Sequence, residues 1–112
     1  MSSPRSRQVA GDLTVVFAAL GDPTRLELVA RLGSGQSRSI AQLAEGLELT
    51  HQGVTKHLRV LEQAGLVMSQ RSGREKRFTC VAEPIHDARN YLDAVADQWD
   101  AALLRLKDFV ER

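Results

Sequence analysis

This 112-residue sequence has little cysteine and no long apolar run, and each absence excludes a class of protein. Cys80 is the single cysteine, which excludes an internal disulfide and a zinc site built from several cysteines. The longest apolar run without a charge, residues 13–21, is far shorter than the ~20 residues that span a bilayer. Asp12 interrupts an N-terminal segment that otherwise resembles a secretory signal, and Asp22-Pro23 occupies the position where a cleavage site would lie. No secretory signal or membrane segment is therefore predicted, and a cytoplasmic location is expected.

The overall composition is otherwise that of an ordinary folded domain. Apolar residues make up 43% and charged residues 26% of the chain, which excludes wholesale disorder. A chain of this length has room for one hydrophobic core but not for two. We therefore expect a single folded domain over residues 11–112, behind a flexible N-terminal arm of residues 1–10 that shows no periodicity.

Positive charge is concentrated in the middle of the chain, although the net charge is only +1. Residues 1–49 carry five basic and five acidic side chains, whereas residues 50–81 carry six basic and two acidic ones. Residues 82–112 carry four basic and seven acidic side chains. A basic centre beside an acidic end predicts a surface that faces a polyanion.

Hydrophobic periodicity predicts a chain that is mainly helical. With their cap residues, the predicted helices cover residues 12–20, 22–33, 39–47, 50–64 and 84–111. Two strands, residues 66–71 and 75–81, are predicted on either side of a turn at Ser72-Gly73. The predicted fold class is therefore mainly α with a small β-hairpin, a winged helix-turn-helix with the order α-α-α-α-β-β-α.

The fourth predicted helix has the properties of a helix that reads DNA. Val54, Leu58 and Leu61 place one face towards the core. The opposite face then carries Gln52, Thr55, Lys56 and Arg59. Gln52 suits adenine edges and Thr55 a base or thymine methyl, while the two cations suit phosphates, with an arginine-to-guanine contact left open. An ordinary amphipathic helix with a solvated face is the alternative.

The turn of the predicted hairpin is rich in positive charge. Residues 71–77 include four basic side chains and one acidic one. Arg71 and Arg74 flank the turn, where they reach phosphates or the minor groove beside a docked helix. A solvated hairpin tip is the alternative interpretation.

Four segments of the chain together resemble a known family. The resemblance rests on Leu20-Gly21-Asp22-Pro23-Thr24-Arg25, on Val54-Thr55-Lys56-His57-Leu58 with Leu61, on Ala64-Gly65-Leu66-Val67 and on Gly73-Arg74. These segments look like the ArsR family of bacterial and archaeal winged-helix repressors. The resemblance implies a homodimer that binds a palindromic operator in double-stranded DNA and represses nearby genes.

The predicted DNA-binding residues lie on the fourth helix and in the hairpin. They are Thr50, His51, Gln52, Thr55, Lys56, His57, Arg59, Arg71, Arg74, Lys76 and Arg77. For His57 two interpretations stay open, a phosphate contact and packing against the hairpin. A winged-helix protein–protein module that does not bind DNA is the rival function.

No metal site or cofactor is predicted. Residues 39–45, where many relatives carry a cysteine pair, contain no cysteine, so the chain resembles the branch without that motif. His86, Asp97 and Asp100 share a face of the last helix, but no second histidine accompanies them. A metal-responsive repressor and a redox-responsive one, through Cys80, remain alternatives. No catalytic grouping stands out, so an enzyme is not expected.

The last predicted helix, residues 84–111, is about 40 Å long and exceeds what a domain of this size needs internally. Its apolar stripe consists of Ile85, Ala88, Leu92, Val95, Trp99, Ala102, Leu106 and Phe109. Such a stripe predicts self-association, together with the first helix, into a homodimer. The predicted interface comprises Leu13, Val16, Phe17, Leu92, Val95, Trp99, Leu103, Leu106 and Phe109. Packing only within the subunit is the alternative, and Trp99 is also a candidate wall for an unknown small-molecule effector.

Overall fold

The computed structural model describes the backbone of residues 4–112 and the side chains of residues 12–112. Its elements are α1 Pro4–Leu20, α2 Pro23–Arg31, β1 Arg38–Ser39, α3 Ile40–Ala44, α4 His51–Gln63, β2 Val67–Ser72, β3 Glu75–Cys80 and α5 Ala82–Glu111. This mainly helical winged helix-turn-helix confirms the predicted fold class. None of the described helices is both long and apolar enough to cross a membrane.

Side-chain caps set the starts of α2 and α3. The Asp22 carboxylate accepts from the backbone N–H of Arg25 at 3.1 Å, directly before Pro23 opens α2. Ser39 and Gln42 form a reciprocal capping box at the start of α3. These caps satisfy backbone donors that the first turn of a helix leaves unpaired. The predicted starts of α2 and α3 are therefore confirmed.

The first helix is longer than the sequence predicted. Residues 4–10, expected within a flexible arm, continue the helix back to Pro4. Proline suits the first position of a helix because its missing N–H would have no partner there. The predicted start of this helix at residue 12 is therefore wrong, whereas the flexibility of the arm stays a prediction. Residues 1–3 of the arm lie outside the described residues.

A third short strand extends the predicted hairpin into a sheet with the order β1-β3-β2. In β1, Arg38 lies opposite Phe78 and Ser39 lies opposite Arg77. The sequence did not predict this strand because two residues are too few to show an alternating pattern. The strand ties the start of α3 to the hairpin, so the helix-turn-helix and the wing form one body.

The hydrophobic core lies between α1–α4 and the inner face of the sheet. Its largest fully buried side chains are Leu28, Leu32, Leu43, Val54, Leu58, Leu61 and Leu66. The chain extends well beyond this core, with principal extents of 67 × 35 × 21 Å and a radius of gyration of 18.5 Å. A compact domain of this length has a radius of gyration of about 13 Å. The thirty-residue α5, about 45 Å long, accounts for much of this elongation.

Candidate nucleic-acid interface

The apolar face of α4 fixes which of its side chains remain available to a partner. Val54, Leu58 and Leu61 are fully buried, as the sequence predicted. The exposed side chains on α4 include four of the predicted contact residues, namely His51, Gln52, Lys56 and Arg59. A row of polar and positive side chains therefore faces outward along the helix.

Two threonines make local bonds that shape the N-terminal part of α4. The Thr50 hydroxyl accepts from the backbone N–H of Gly53 at 3.0 Å, which identifies Thr50 as the N-cap. The Thr55 hydroxyl donates to the His51 carbonyl at 2.7 Å. Its hydrogen is therefore used within the helix, so Thr55 presents a methyl group and an acceptor oxygen rather than a donor.

The polar contacts of His57 lie at the start of α2, and its phosphate contact stays a prediction. Its side chain is 25% exposed, and Nδ1 lies 3.3 Å from Nη1 of Arg25 and 3.8 Å from Oδ2 of Asp22. Both partners belong to the start of α2 and not to the hairpin. Sequence reasoning gave Arg25 no role because a bond between residues 32 positions apart leaves no local pattern.

The wing presents its cations in two different ways. Gly73 forms the turn with a φ of 66°, and Arg71 and Arg74 on either side are exposed. Arg77 instead donates through Nε to the Ser37 hydroxyl at 2.9 Å and through Nη2 to the Ser37 carbonyl at 2.8 Å. It also pairs with Glu75 at 3.1 Å. Arg77 is thus a brace between the wing and the loop before β1, with little of its guanidinium free.

Lys76 completes the set of predicted wing residues. Its Nζ lies 5.5 Å from the centroid of the Phe78 ring, within the range of a cation–π contact. The side chain is exposed, so this contact leaves the ammonium group accessible to solvent.

Four of the predicted phosphate contacts have no carboxylate partner. Among the side chains that the structure describes, no Asp or Glu oxygen lies within 4.0 Å of the charged nitrogens of Lys56, Arg59, Arg71 or Arg74. Unpaired exposed cations on one body attract a polyanion, because no internal ion pair has to be broken first. The basic residues that the sequence concentrates in positions 50–81 thus include unpaired side chains on both α4 and the wing.

The predicted dimer residues fall into three groups by exposure. Leu92, Trp99, Leu103, Leu106 and Phe109 are more than half exposed along α5, with Trp99 at 66%. Leu13, Phe17 and Val95 are half-buried, and the Phe17 ring packs against Tyr91 at 6.0 Å between centroids. Val16 is only 3% exposed and belongs to the core of its own subunit, where it has almost no surface left for a partner.

The structure bears on the two alternatives for sensing, a redox-responsive Cys80 and a metal site. Cys80 is half-buried, and burial raises the pKa of its thiol, which disfavours the reactive thiolate. Over the described residues, no three or more His, Cys, Asp or Glu side chains come together in a group suited to a metal ion.

Comparison with known proteins finds close likeness in sequence and in fold. A model described as a helix-turn-helix domain matches residues 20–70. The transcriptional repressor SmtB of Mycobacterium tuberculosis is 32% identical over 101 residues, which cover 90% of this chain and 73% of that protein. An ArsR-like transcriptional regulator from Rhodococcus sp. RHA1 has a TM-score of 0.73 at 34% identity, covering 89% of this chain and 93% of that one.

A further likeness concerns the fold alone. A homodimeric winged helix-turn-helix DNA-binding domain of Mycobacterium bovis, solved in solution, has a TM-score of 0.67 at 23% identity. The match covers 87% of this chain and 89% of that one. The same arrangement of helices and wing thus occurs in proteins of quite different sequence.

Proposed function

The chain belongs to the ArsR family of winged helix-turn-helix transcriptional regulators, and from that premise we propose that it is a homodimeric repressor of a two-fold symmetric operator. The observation that carries this proposal is the outward face of α4, with four unpaired cations on α4 and the wing. The SmtB relative is named a transcriptional repressor. A cytoplasmic location belongs to the same proposal.

Sequence recognition is assigned to the first two turns of α4. The major groove, about 12 Å wide, admits one α-helix, and exposed residues near the helix N-terminus reach the base edges. The exposed Gln52 offers an amide that pairs with adenine, and the half-buried Thr55 offers a methyl group suited to thymine. His51, one residue into the helix, lies beside them on the exposed surface.

Affinity is assigned to the backbone contacts on either side of this helix. Lys56 and Arg59 continue the exposed face of α4, and Arg71, Arg74 and Lys76 supply the wing. Cations of this kind release counterions from DNA and hold the helix in register, whatever the base sequence. Arg77 acts indirectly in this account, because its bonds to Ser37 orient the wing.

Dimerisation is assigned to the apolar stripe of α5 with part of α1. Five of the predicted interface residues on α5 are more than half exposed, which is far more than an isolated small domain usually leaves in one stripe. A two-fold pair would bury them and present two copies of α4 to one face of DNA. Half-sites about one helical turn apart, ~34 Å, match such a pair.

Selection of DNA from a random-sequence pool tests the proposal and yields the operator sequence at the same time. We expect the enriched sequences to share an inverted repeat with half-sites about 10–11 base pairs apart, or a multiple of one turn. Enrichment of a single asymmetric site would contradict the dimeric arrangement. No enrichment above the starting pool would favour the protein–protein module instead.

A further inference from the structure

We propose that Arg25 and His57 are positioning residues that hold α4 in its DNA-reading orientation and link it to α1. This inference rests on the proposed function, because it concerns how the DNA-reading helix is aligned. It also gives His57 a role other than the DNA contact predicted from the sequence. Together with Asp22, these two residues form a polar cluster, the α2 relay.

The guanidinium of Arg25 bridges two helices from its place in the first turn of α2. Its Nε donates to the carbonyl of Ala19, and its Nη2 lies 3.5 Å from the carbonyl of Ala18, both in the last turn of α1. Its Nη1 lies 3.3 Å from Nδ1 of His57, in the middle of α4. One planar group therefore contacts both neighbouring helices, and its five N–H donors have a fixed fork geometry.

The chemistry of arginine determines the direction of the contact with His57. Arginine has no acceptor, so Nη1 donates and Nδ1 of His57 accepts. The Asp22 carboxylate, 3.8 Å from Nδ1, is too far for a hydrogen bond but faces the same nitrogen. Asp22 also accepts from the backbone N–H of Arg25, which fixes the first turn of α2.

Apolar packing alone does not define the orientation of α4 as sharply as this bond does. Val54, Leu58 and Leu61 determine which face is buried, but hydrophobic contacts are non-directional and tolerate small rotations and shifts along the helix axis. A hydrogen bond weakens steeply with angle and distance. Base readout needs side chains held to a fraction of an ångström, so a directional bond at His57 contributes to specificity.

The α2 relay also connects the two functional faces of the chain. The helix α1, whose last carbonyls Arg25 holds, packs on α5 through the Phe17–Tyr91 ring contact. That pair of helices carries the proposed dimer interface. A change in the packing of α1 against α5 therefore reaches α4 through a single polar side chain, which makes the α2 relay a link between dimerisation and DNA reading.

Two substitutions at His57 separate positioning from direct DNA contact. His57→Asn keeps an acceptor close to the position of Nδ1, whereas His57→Phe keeps a ring but removes the acceptor. We expect His57→Phe to bind a selected operator about tenfold more weakly, which is the effect of losing one hydrogen bond from a charged donor. We expect His57→Asn to stay within about threefold of the wild type, and scrambled DNA to bind all three proteins alike.

The salt dependence and a matched control distinguish the competing outcomes. A phosphate contact at His57 would lower the slope of log affinity against log salt in both variants, which would overturn the proposal. A purely structural role would lower the melting temperature of His57→Phe but leave operator affinity unchanged well below it, which would also overturn it. His86→Phe, an exposed histidine of α5, is the control and should change neither affinity nor slope.

A double-mutant cycle with Arg25→Gln completes the test. If the α2 relay acts as proposed, replacing His57 in the Arg25→Gln protein costs little further operator affinity, because the bond between the two residues is already lost. Independent, additive losses would contradict the link. If the wild type itself prefers no DNA sequence over a scrambled one, the proposed function fails first, and the α2 relay fails with it.

Discussion

Asp22 caps α2 with a carboxylate whose pKa is lowered from its ordinary value of 3.8, chiefly by the hydrogen bond from the backbone N–H of Arg25. Burial opposes this shift, and the positive charge of Arg25 lowers the pKa further. A carboxyl group with a lowered pKa in the folded state stabilises the fold above its unfolded-state pKa. That contribution is lost as the pH falls through the folded-state value.

Replacing Asp22 with asparagine removes this titration but keeps an N-cap acceptor. We expect the wild type to lose more stability than Asp22→Asn when the pH is lowered from about 5 to about 3, because only the wild-type cap becomes protonated. Urea denaturation followed by circular dichroism at several pH values measures the difference. Parallel pH profiles for the two proteins would show that the Asp22 charge does not stabilise α2.

Gln52 is expected to carry base discrimination. Gln52→Ala removes an exposed amide without touching the core, and a good side-chain-to-base contact is worth about 1–3 kcal/mol of discrimination. We expect a loss of affinity for the operator and a relaxed preference at one base pair of each half-site. Binding to a panel of operators with single base changes measures this effect. An unchanged preference at every position would place the readout on other residues of α4.

Arg74 is expected to behave differently because we assign it to the DNA backbone. Arg74→Ala should weaken binding to operator and scrambled DNA by the same factor and lower the salt slope by about one for each subunit. Fluorescence anisotropy at several salt concentrations gives both quantities. If the substitution instead changes base preference, the wing reads sequence and its assignment to phosphates is wrong.

The sequence predicted the outward residues of the interface better than their internal partners. Helical spacing alone identifies Gln52, Lys56 and Arg59 as exposed once Val54, Leu58 and Leu61 are buried. It does not show that His57 bonds to Arg25, because that contact joins elements far apart in the sequence. Which cations are unpaired and which are held by hydrogen bonds likewise depends on tertiary contacts, which helical spacing does not show.

Local signals also decide how well whole elements were predicted. The ends of α4 follow from Thr50 as N-cap and from Gly65, whose φ of 79° lies in the left-handed region after the helix. The strand β1 was missed because it consists of two residues, and α3 ends at Ala44 rather than at residue 47. Gly46, with a φ of 78°, follows soon after that end and is incompatible with a continued helix.

A pair of glycine substitutions tests the account of the end of α4. Gly65→Ala meets no steric contact within 4 Å, so its cost is the left-handed backbone alone, about 1–2 kcal/mol of unfolding free energy. Gly53→Ala lies inside the helix, where its added Cβ makes only ordinary contacts, and should be neutral or stabilising. Chemical denaturation measures both. Equal effects of the two substitutions would contradict the backbone explanation.

The whole molecule is elongated and leaves an apolar surface uncovered. Its 67 Å long axis and the exposed apolar side chains of α5 leave a surface that one subunit does not cover. The sequence predicted this from the length of the last helix and its unbroken stripe. It did not show that Val16, grouped with that surface, is buried in the core of its own subunit.

A charge placed on the α5 stripe tests the dimer at this scale. Trp99→Glu puts a carboxylate at a side chain that is 66% exposed within the subunit, so folding of the subunit should survive. Burying that charge in an interface is costly, so we expect the protein to sediment as a monomer and to lose operator affinity. Leu26→Glu, at an exposed leucine of α2, is the control and should remain dimeric in analytical ultracentrifugation.

The central claim, that this chain is a DNA-reading repressor, is tested most directly by fluorescence anisotropy with the DNA upstream of its own gene. The account predicts binding at least about a thousandfold tighter than to a scrambled duplex, with an affinity that falls steeply between two salt concentrations. Equal and weak binding to both duplexes would contradict the account for this operator.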